Sequence, residues 1–183
     1  MRLFVGLDLP YEMRRNLELL LHLLKPKAQI QWSPVSNLHI TTKFIGDFQE
    51  ERLDELKAAL GALNKSGAIG IAIRGLTWFP DPDRPRLLVA GIEAPSSLST
   101  LAGDTDSACK KFGIQGEKRA FHPHLTLARI RRAETLVELK KALLELPSAD
   151  FGAFSAEEFH LYQSQLSPGG STYTKLASFP LAA

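Results

Sequence analysis

The chain has 183 residues, 44% of them hydrophobic, enough to fill the core of one large domain or of two small lobes that share one. Its 22 basic and 20 acidic side chains nearly cancel, so nothing in the total calls for a polyanion partner, although a local basic cleft is compatible with it. The single cysteine, Cys109, excludes an internal disulfide and a cysteine-cluster zinc site, and a reducing cytoplasm is the expected home.

Residues 2–9 alternate around β-forming side chains and end at Pro10, which predicts a first strand. A signal peptide is not expected: the apolar run is short, Asp8 interrupts it, and no small-residue cleavage site follows. YEMRRNLELLLHLLK then sets Leu17, Leu20, Leu21 and Leu24 at helical spacing. Its apolar window is about eight residues long and contains His22, far short of the ~20 needed to cross a bilayer, so no membrane segment is expected. Trp32-Ser33-Pro34 breaks the chain, HITTKFI is β-branched and strand-like, and QEERLDELKAALGAL puts Leu53, Leu56, Leu60 and Leu63 on one helical face. AIGIAIRGLTWF reads as a strand, the proline-rich FPDPDRPR as a turn, and RLLVAGIE as the returning strand. A helix around SSLSTLAGDTDSACKKFG stops at Gly113, and the strand FHPHLTLARI follows. RRAETLVELKKALLEL carries an apolar stripe at Leu136, Leu139, Leu143 and Leu146 and ends at Pro147; FSAEEFHLYQSQL and TYTKLASFPL supply two more strands.

One pattern occurs twice. His-x-Thr-x appears at residues 39–42 and again at 124–127, each time on a predicted strand with an amphipathic helix next in the chain. The two histidines are 124 − 39 = 85 residues apart, close to half the chain, which suggests a structural duplication and two similar lobes facing each other. Along a strand, residues i and i+2 share a face, so His39 and Thr41 point one way, as do His124 and Thr126, while Ile40, Thr42, Phe44, Leu125 and Leu127 point the other. Two such strands across a cleft would bring together two imidazoles and two hydroxyls. That set suits in-line displacement at phosphorus without a metal. A neutral imidazole takes the proton of the attacking water, an imidazolium protonates the leaving oxygen, and both forms are accessible because the unperturbed histidine pKa is ~6.5. The threonine hydroxyls can donate hydrogen bonds to the non-bridging oxygens. A metal reading would instead gather His122, His124 and His160, but the motif offers no carboxylate or cysteine to complete it. Lys43 shares regular strand parity with His39 and Thr41, making it a candidate cleft cation. Arg129 falls on the opposite face of its strand unless the strand bulges.

With these motifs the sequence resembles the two-histidine (2H) phosphoesterases, and among them the RNA 2′,3′-cyclic phosphodiesterases historically called 2′–5′ RNA ligases. The likeness runs through MRLFVGLDLP, WSPVSNLHITTKFIGD, the FP…PRLLVAGIE hairpin, FHPHLTLAR and LYQSQLSPGGSTYTKL. It implies a single two-lobed α+β domain over residues 1–183, with antiparallel sheets and outer helices around a central cleft, each lobe supplying one motif. It implies that His39 protonates the leaving ribose oxygen, His124 activates water, and Thr41 and Thr126 hold the phosphate; Arg129 matches a frequent family arginine and, with Lys43 from its strand parity, is the candidate to assist binding. The implied partners are RNA 3′ ends carrying a 2′,3′-cyclic phosphate, tRNA fragments included, with no cofactor and with the protein a monomer; some family members also run the reverse 2′–5′ ligation. Two other functions fit the same residues: a 2H enzyme for a non-RNA cyclic phosphate, and a non-catalytic module that binds RNA ends. Trp32 and Tyr173 are read as packing residues that could alternatively stack a base, His122 as packing beside Pro123, and His22 and His160 as structural or surface residues.

Overall fold

The computed structural model describes residues 1–132 and 135–182. In chain order they form β1 (Arg2–Leu7), α1 (Tyr11–Leu24), β2 (Gln31–Trp32), β3 (Ile40–Asp47), α2 (Leu53–Gly61), β4 (Ile69–Phe79), β5 (Leu87–Glu93), α3 (Ser96–Lys110), β6 (His124–Arg129), α4 (Val137–Leu144), β7 (Asp150–Ala156), β8 (Glu158–Ser167) and β9 (Gly170–Pro180). The strands make a four-stranded sheet in the order β3-β1-β8-β9 and a five-stranded sheet in the order β2-β6-β5-β4-β7. Every pairing is antiparallel, so the expected α+β arrangement of two antiparallel sheets with outer helices is the observed one.

Each helix lies where its apolar stripe has something to cover. In α1 the leucines at helical spacing are joined by Met13 in a buried face that packs on β7 of the five-stranded sheet. Helix α3 packs on β3 and α2 on β9, so these two back the four-stranded sheet. On that side β1 turns Leu3, Val5 and Leu7 inward, all at most 1% exposed. The predicted helix RRAETLVELKKALLEL includes Ala133 and Glu134, which lie outside the described residues; the observed helix α4 begins at Val137 and buries Leu139. FSAEEFHLYQSQL is not one strand. It holds the end of β7 and most of β8, separated at Glu157, because the chain changes sheets there. Among the described residues no helix is long and apolar enough to cross a membrane.

Two irregularities position the motifs. Pairing of β1 with β3 jumps from Gly6↔Thr41 to Val5↔Lys43, so Thr42 is an extra residue. Pairing of β5 with β6 jumps from Val89↔Thr126 to Leu88↔Ala128, so Leu127 is extra. Both bulges fall three residues after the histidine, 42 − 39 = 3 and 127 − 124 = 3. A bulge turns two consecutive side chains to one face and reverses the alternation beyond it. Accordingly Thr42, Lys43, Leu127 and Ala128 are all buried, and the next residues, Phe44 and Arg129, are exposed.

Candidate active site

His39 stands immediately before β3 and His124 is the first residue of β6; β3 and β6 approach each other from the two sheets. Both imidazoles are held in the same way. Nδ1 of His39 lies 2.7 Å from the carbonyl oxygen of Asn37, and Nδ1 of His124 lies 3.0 Å from that of His122. A carbonyl can only accept, so Nδ1 carries the proton in each ring and Nε2 is left with its lone pair in the neutral form. The segment preceding each strand therefore fixes the tautomer through a backbone carbonyl two residues back. Nε2 of His39 lies 2.8 Å from the Thr41 hydroxyl, which donates to it when the ring is neutral.

The two histidines differ in their surroundings. The His39 ring stacks on Phe4 at 4.5 Å between centroids and meets the edge of Tyr173 at 5.1 Å. Phe4 in turn stacks on Tyr162 at 4.9 Å. This apolar wall removes water from the imidazole and holds its pKa below the ordinary 6.5, chiefly through burial. The Asn37 carbonyl opposes that shift, Arg14 adds to it, and Asp8 works against it. His124 sits against Phe79, with ring centroids 6.1 Å apart and planes 19° from parallel. Gly6, opposite Thr41 on β1, is required here because a Cβ would lie 2.6 Å from the Ile40 carbonyl oxygen.

Thr41 and Thr126 are half-buried on the same side of their strands as the histidines, as strand parity predicts. Lys43 is not in the cleft, because the bulge at Thr42 turns it towards α3. There it is 2% exposed, its Nζ 2.8 Å from Asp106 and 3.2 Å from Glu117, and it also donates to the Gln115 carbonyl. Burial alone would lower its pKa, but hydrogen bonds to Asp106 and Glu117 outweigh that and raise it. The matching bulge acts on Arg129 in the opposite sense: it brings the side chain to the face of His124 and Thr126, at the exposed end of β6. Phe44, which occupies the corresponding place after the first bulge, was not visible as a site residue in the sequence. It is 66% exposed, with its ring 6.3 Å from that of Phe4.

Tyr173 lies on the cleft side, edge-on to both His39 and Phe4. Trp32 is on the other face, packed against the core with its indole N–H donated to the Ala28 carbonyl. His122 is exposed and contributes its carbonyl. His160 is buried in β8, in the sheet opposite His124, with Nδ1 2.8 Å from the Ser178 hydroxyl. Among the described residues no three His, Cys, Asp or Glu side chains come together as a metal site requires, so His122, His124 and His160 do not form the set considered from sequence. His22 lies in the last turn of α1, with its side chain exposed.

Comparison with known proteins bears on this arrangement. The sequence profile of the family described as "LigT like Phosphoesterase" matches residues 7–89 and 92–173, and each stretch places its motif histidine at the same offset, 39 − 7 = 32 and 124 − 92 = 32. A curated relative, an RNA 2′,3′-cyclic phosphodiesterase of Methanothermobacter thermautotrophicus, is 31% identical over 182 residues, covering 98% of each chain. A crystal structure of a Thermus thermophilus protein superposes with a TM-score of 0.82 at 29% identity, covering 99% of this chain and 98% of that one. That of E. coli LigT complexed with 3′-AMP gives 0.82 at 26% identity, covering 100% and 98%. The chain belongs to the LigT-like family of 2H phosphoesterases.

Proposed function

We propose that this protein hydrolyses RNA 2′,3′-cyclic phosphate ends to 2′-phosphates by acid–base catalysis between His39 and His124. The observation that carries the reading is the shared anchoring of the two imidazoles, each with Nδ1–H spent on a carbonyl so that Nε2 is the nitrogen left for proton transfer, and each with a threonine hydroxyl two residues on, that of Thr41 already on Nε2 of His39. The relatives' name, RNA 2′,3′-cyclic phosphodiesterase, supports the substrate class.

In this reaction Nε2 of His124 takes a proton from water as its oxygen attacks phosphorus in line with the bond to O3′. That bond breaks, and protonated His39 gives its Nε2 proton to O3′, leaving a 3′-hydroxyl and a 2′-phosphate. Thr41 and Thr126 donate hydrogen bonds to the non-bridging oxygens, where charge grows in the transition state. Arg129, at the far end of β6, adds positive potential along the path of the RNA strand and does not touch the reacting phosphate. The exposed faces of Phe44 and Phe79 offer surfaces on which a base can stack. When the 5′-hydroxyl of another RNA replaces water, the same proton transfers yield a 2′–5′ linkage.

The test is product analysis with an oligoribonucleotide ending in a 2′,3′-cyclic phosphate, in excess EDTA. The expected product is the 2′-phosphate, read by phosphorus NMR. Predominant 3′-phosphate would reverse the assigned roles of the histidines or the substrate's orientation, and activity restored only by an added divalent ion would overturn the metal-independent mechanism.

A further inference from the structure

Past the second motif the chain reads ARIRR, and the bulge at Leu127 makes this run more than a surface charge. Arg129 and Gln31 are paired residues of β6 and β2, and beyond them a groove of about 220 Å³ is lined by Gln29, Ile30, Gln31, Arg129, Arg131 and Arg132. Arg86 is exposed beside it, its carbonyl accepting from the Ile130 amide. Elsewhere several basic side chains, buried and exposed, have acidic partners: Arg14 and Lys175 with Asp8, Lys43 with Asp106, Arg74 with Glu93. Among the described residues Arg86, Arg129, Arg131 and Arg132 have none. A chain whose formal charge is only +2 thus gathers, at one end of its reaction cleft, four arginines with no acidic partner among the described residues.

The groove is too far along to hold the reacting phosphate. From His124 to Arg129 is four regular strand steps plus the bulged residue, a span of about 13 Å at ~3.3 Å per step. The larger cavity, about 610 Å³ at the β7–β8 corner, is lined by Asp8, Glu157 and Glu158 beside His160 and Lys175, and is less suited to a polyanion. An RNA strand held by its cyclic end at the histidines would therefore be drawn along β6 towards the arginines.

We propose that Arg131 and Arg132, with Gln29 and Gln31, form a subsite for backbone phosphates on the 5′ side of the terminal nucleotide, making an RNA strand a better substrate than a lone cyclic nucleotide. The subsite rests on the cyclic-phosphate reading of the cleft. It adds affinity through phosphates, so it acts on KM, depends on salt and is indifferent to base sequence.

The experiment compares 2′,3′-cyclic AMP with an oligoadenylate pentamer bearing the same cyclic end, on the wild type and on Arg131→Glu/Arg132→Glu, with Arg131→Gln/Arg132→Gln as the milder variant. In the wild type, binding of the pentamer should fall with log salt more steeply than that of the mononucleotide, by about 0.7 per phosphate engaged. The glutamate pair should lower kcat/KM for the pentamer by about tenfold or more near 0.1 M salt, through KM, with the glutamine pair intermediate. Turnover of cyclic AMP and the melting temperature should stay unchanged, since both side chains are exposed. Equal losses on both substrates, or none on the pentamer, would overturn the subsite. If the wild type turns over neither substrate, it is the cyclic-phosphate reading that fails. Fluorescence anisotropy of the 5′-labelled pentamer still decides the groove in that case: equal affinity for the wild type and the glutamate pair rejects it.

Discussion

The two motif histidines share one anchoring geometry and differ in what surrounds them, and that difference should be readable against pH. Under the proposed mechanism His39 donates as its imidazolium, yet burial against Phe4 favours the neutral ring in the free protein. The His39 ring should therefore titrate below histidine's ordinary 6.5 in the free protein, as followed by NMR of its ring protons. In the complex the phosphate's negative charge beside Nε2 favours the imidazolium, so binding of a substrate analogue should move that titration to higher pH. A titration that stays put or moves down on binding would assign the donor to another group. His39→Ala should remove the alkaline limb of the pH–rate profile and His124→Ala the acidic one, each slowing turnover by ~10²–10⁴ with the circular dichroism spectrum unchanged. A variant that instead unfolds, with activity falling in proportion, would reassign its histidine to a structural role.

At the scale of elements, the paired bulges decide which side chains reach the cleft, and they separate what was legible in the sequence from what was not. Period-2 alternation placed His39, Thr41, His124 and Thr126 because it needs only the strand itself. It failed at Lys43, and its regular form failed at Arg129, because a bulge depends on the partner strand: Val5 opposite Lys43 and Leu88 opposite Ala128 leave one residue of the motif strand unmatched. The same hidden reversal brought Phe44 out to solvent. The leucine stripes of α1 and α2 were legible because their periodicity is local, whereas β2 was not, since its two residues are strand only through pairing with β6. The corrected place of Lys43 makes it a stability residue. Lys43→Met leaves Asp106, 13% exposed, with Lys110 at 3.3 Å and the Glu117 amide at 3.0 Å as its remaining partners, and the loss of the charged hydrogen bonds should cost about 1.5–3 kcal/mol. Because Lys43 has its pKa raised and Asp106 has its pKa lowered, by hydrogen bonds that outweigh burial, the pair stabilises fully between their ordinary values of 3.8 and 10.5. That contribution is lost as pH falls through the Asp106 value or rises through the Lys43 value; the variant should lack the alkaline dependence and keep a weaker acidic one, because Lys110 and the Glu117 amide still favour the Asp106 carboxylate. Urea unfolding across pH reads the effect; unchanged stability with a raised KM would return Lys43 to the cleft.

On the scale of the whole molecule, the sheets are separate but the chain is woven through both. It passes between them at β1 to β2, β2 to β3, β3 to β4 and β7 to β8. Helix α1 follows a strand of the four-stranded sheet yet covers the five-stranded one, where the Asn16 amide donates to the Phe151 carbonyl; α3 joins two strands of the five-stranded sheet yet covers the other. One buried cluster accordingly contains Leu3, Leu161, Leu88 and Leu125, from strands of both sheets. Neither sheet can lose its backing helices without pulling on the turns that enter the other, so the two should unfold as one unit. The sequence supplies a probe, because both tryptophans, Trp32 in β2 and Trp78 in β4, report on the five-stranded sheet. Leu161→Ala, in β8 of the four-stranded sheet and 0% exposed in the native protein, should cost about 2–5 kcal/mol. Tryptophan fluorescence and far-ultraviolet circular dichroism should shift to lower urea together, by the same amount. If the fluorescence transition instead keeps its wild-type midpoint while part of the dichroism is lost earlier, the sheets melt independently and the weave does not couple them.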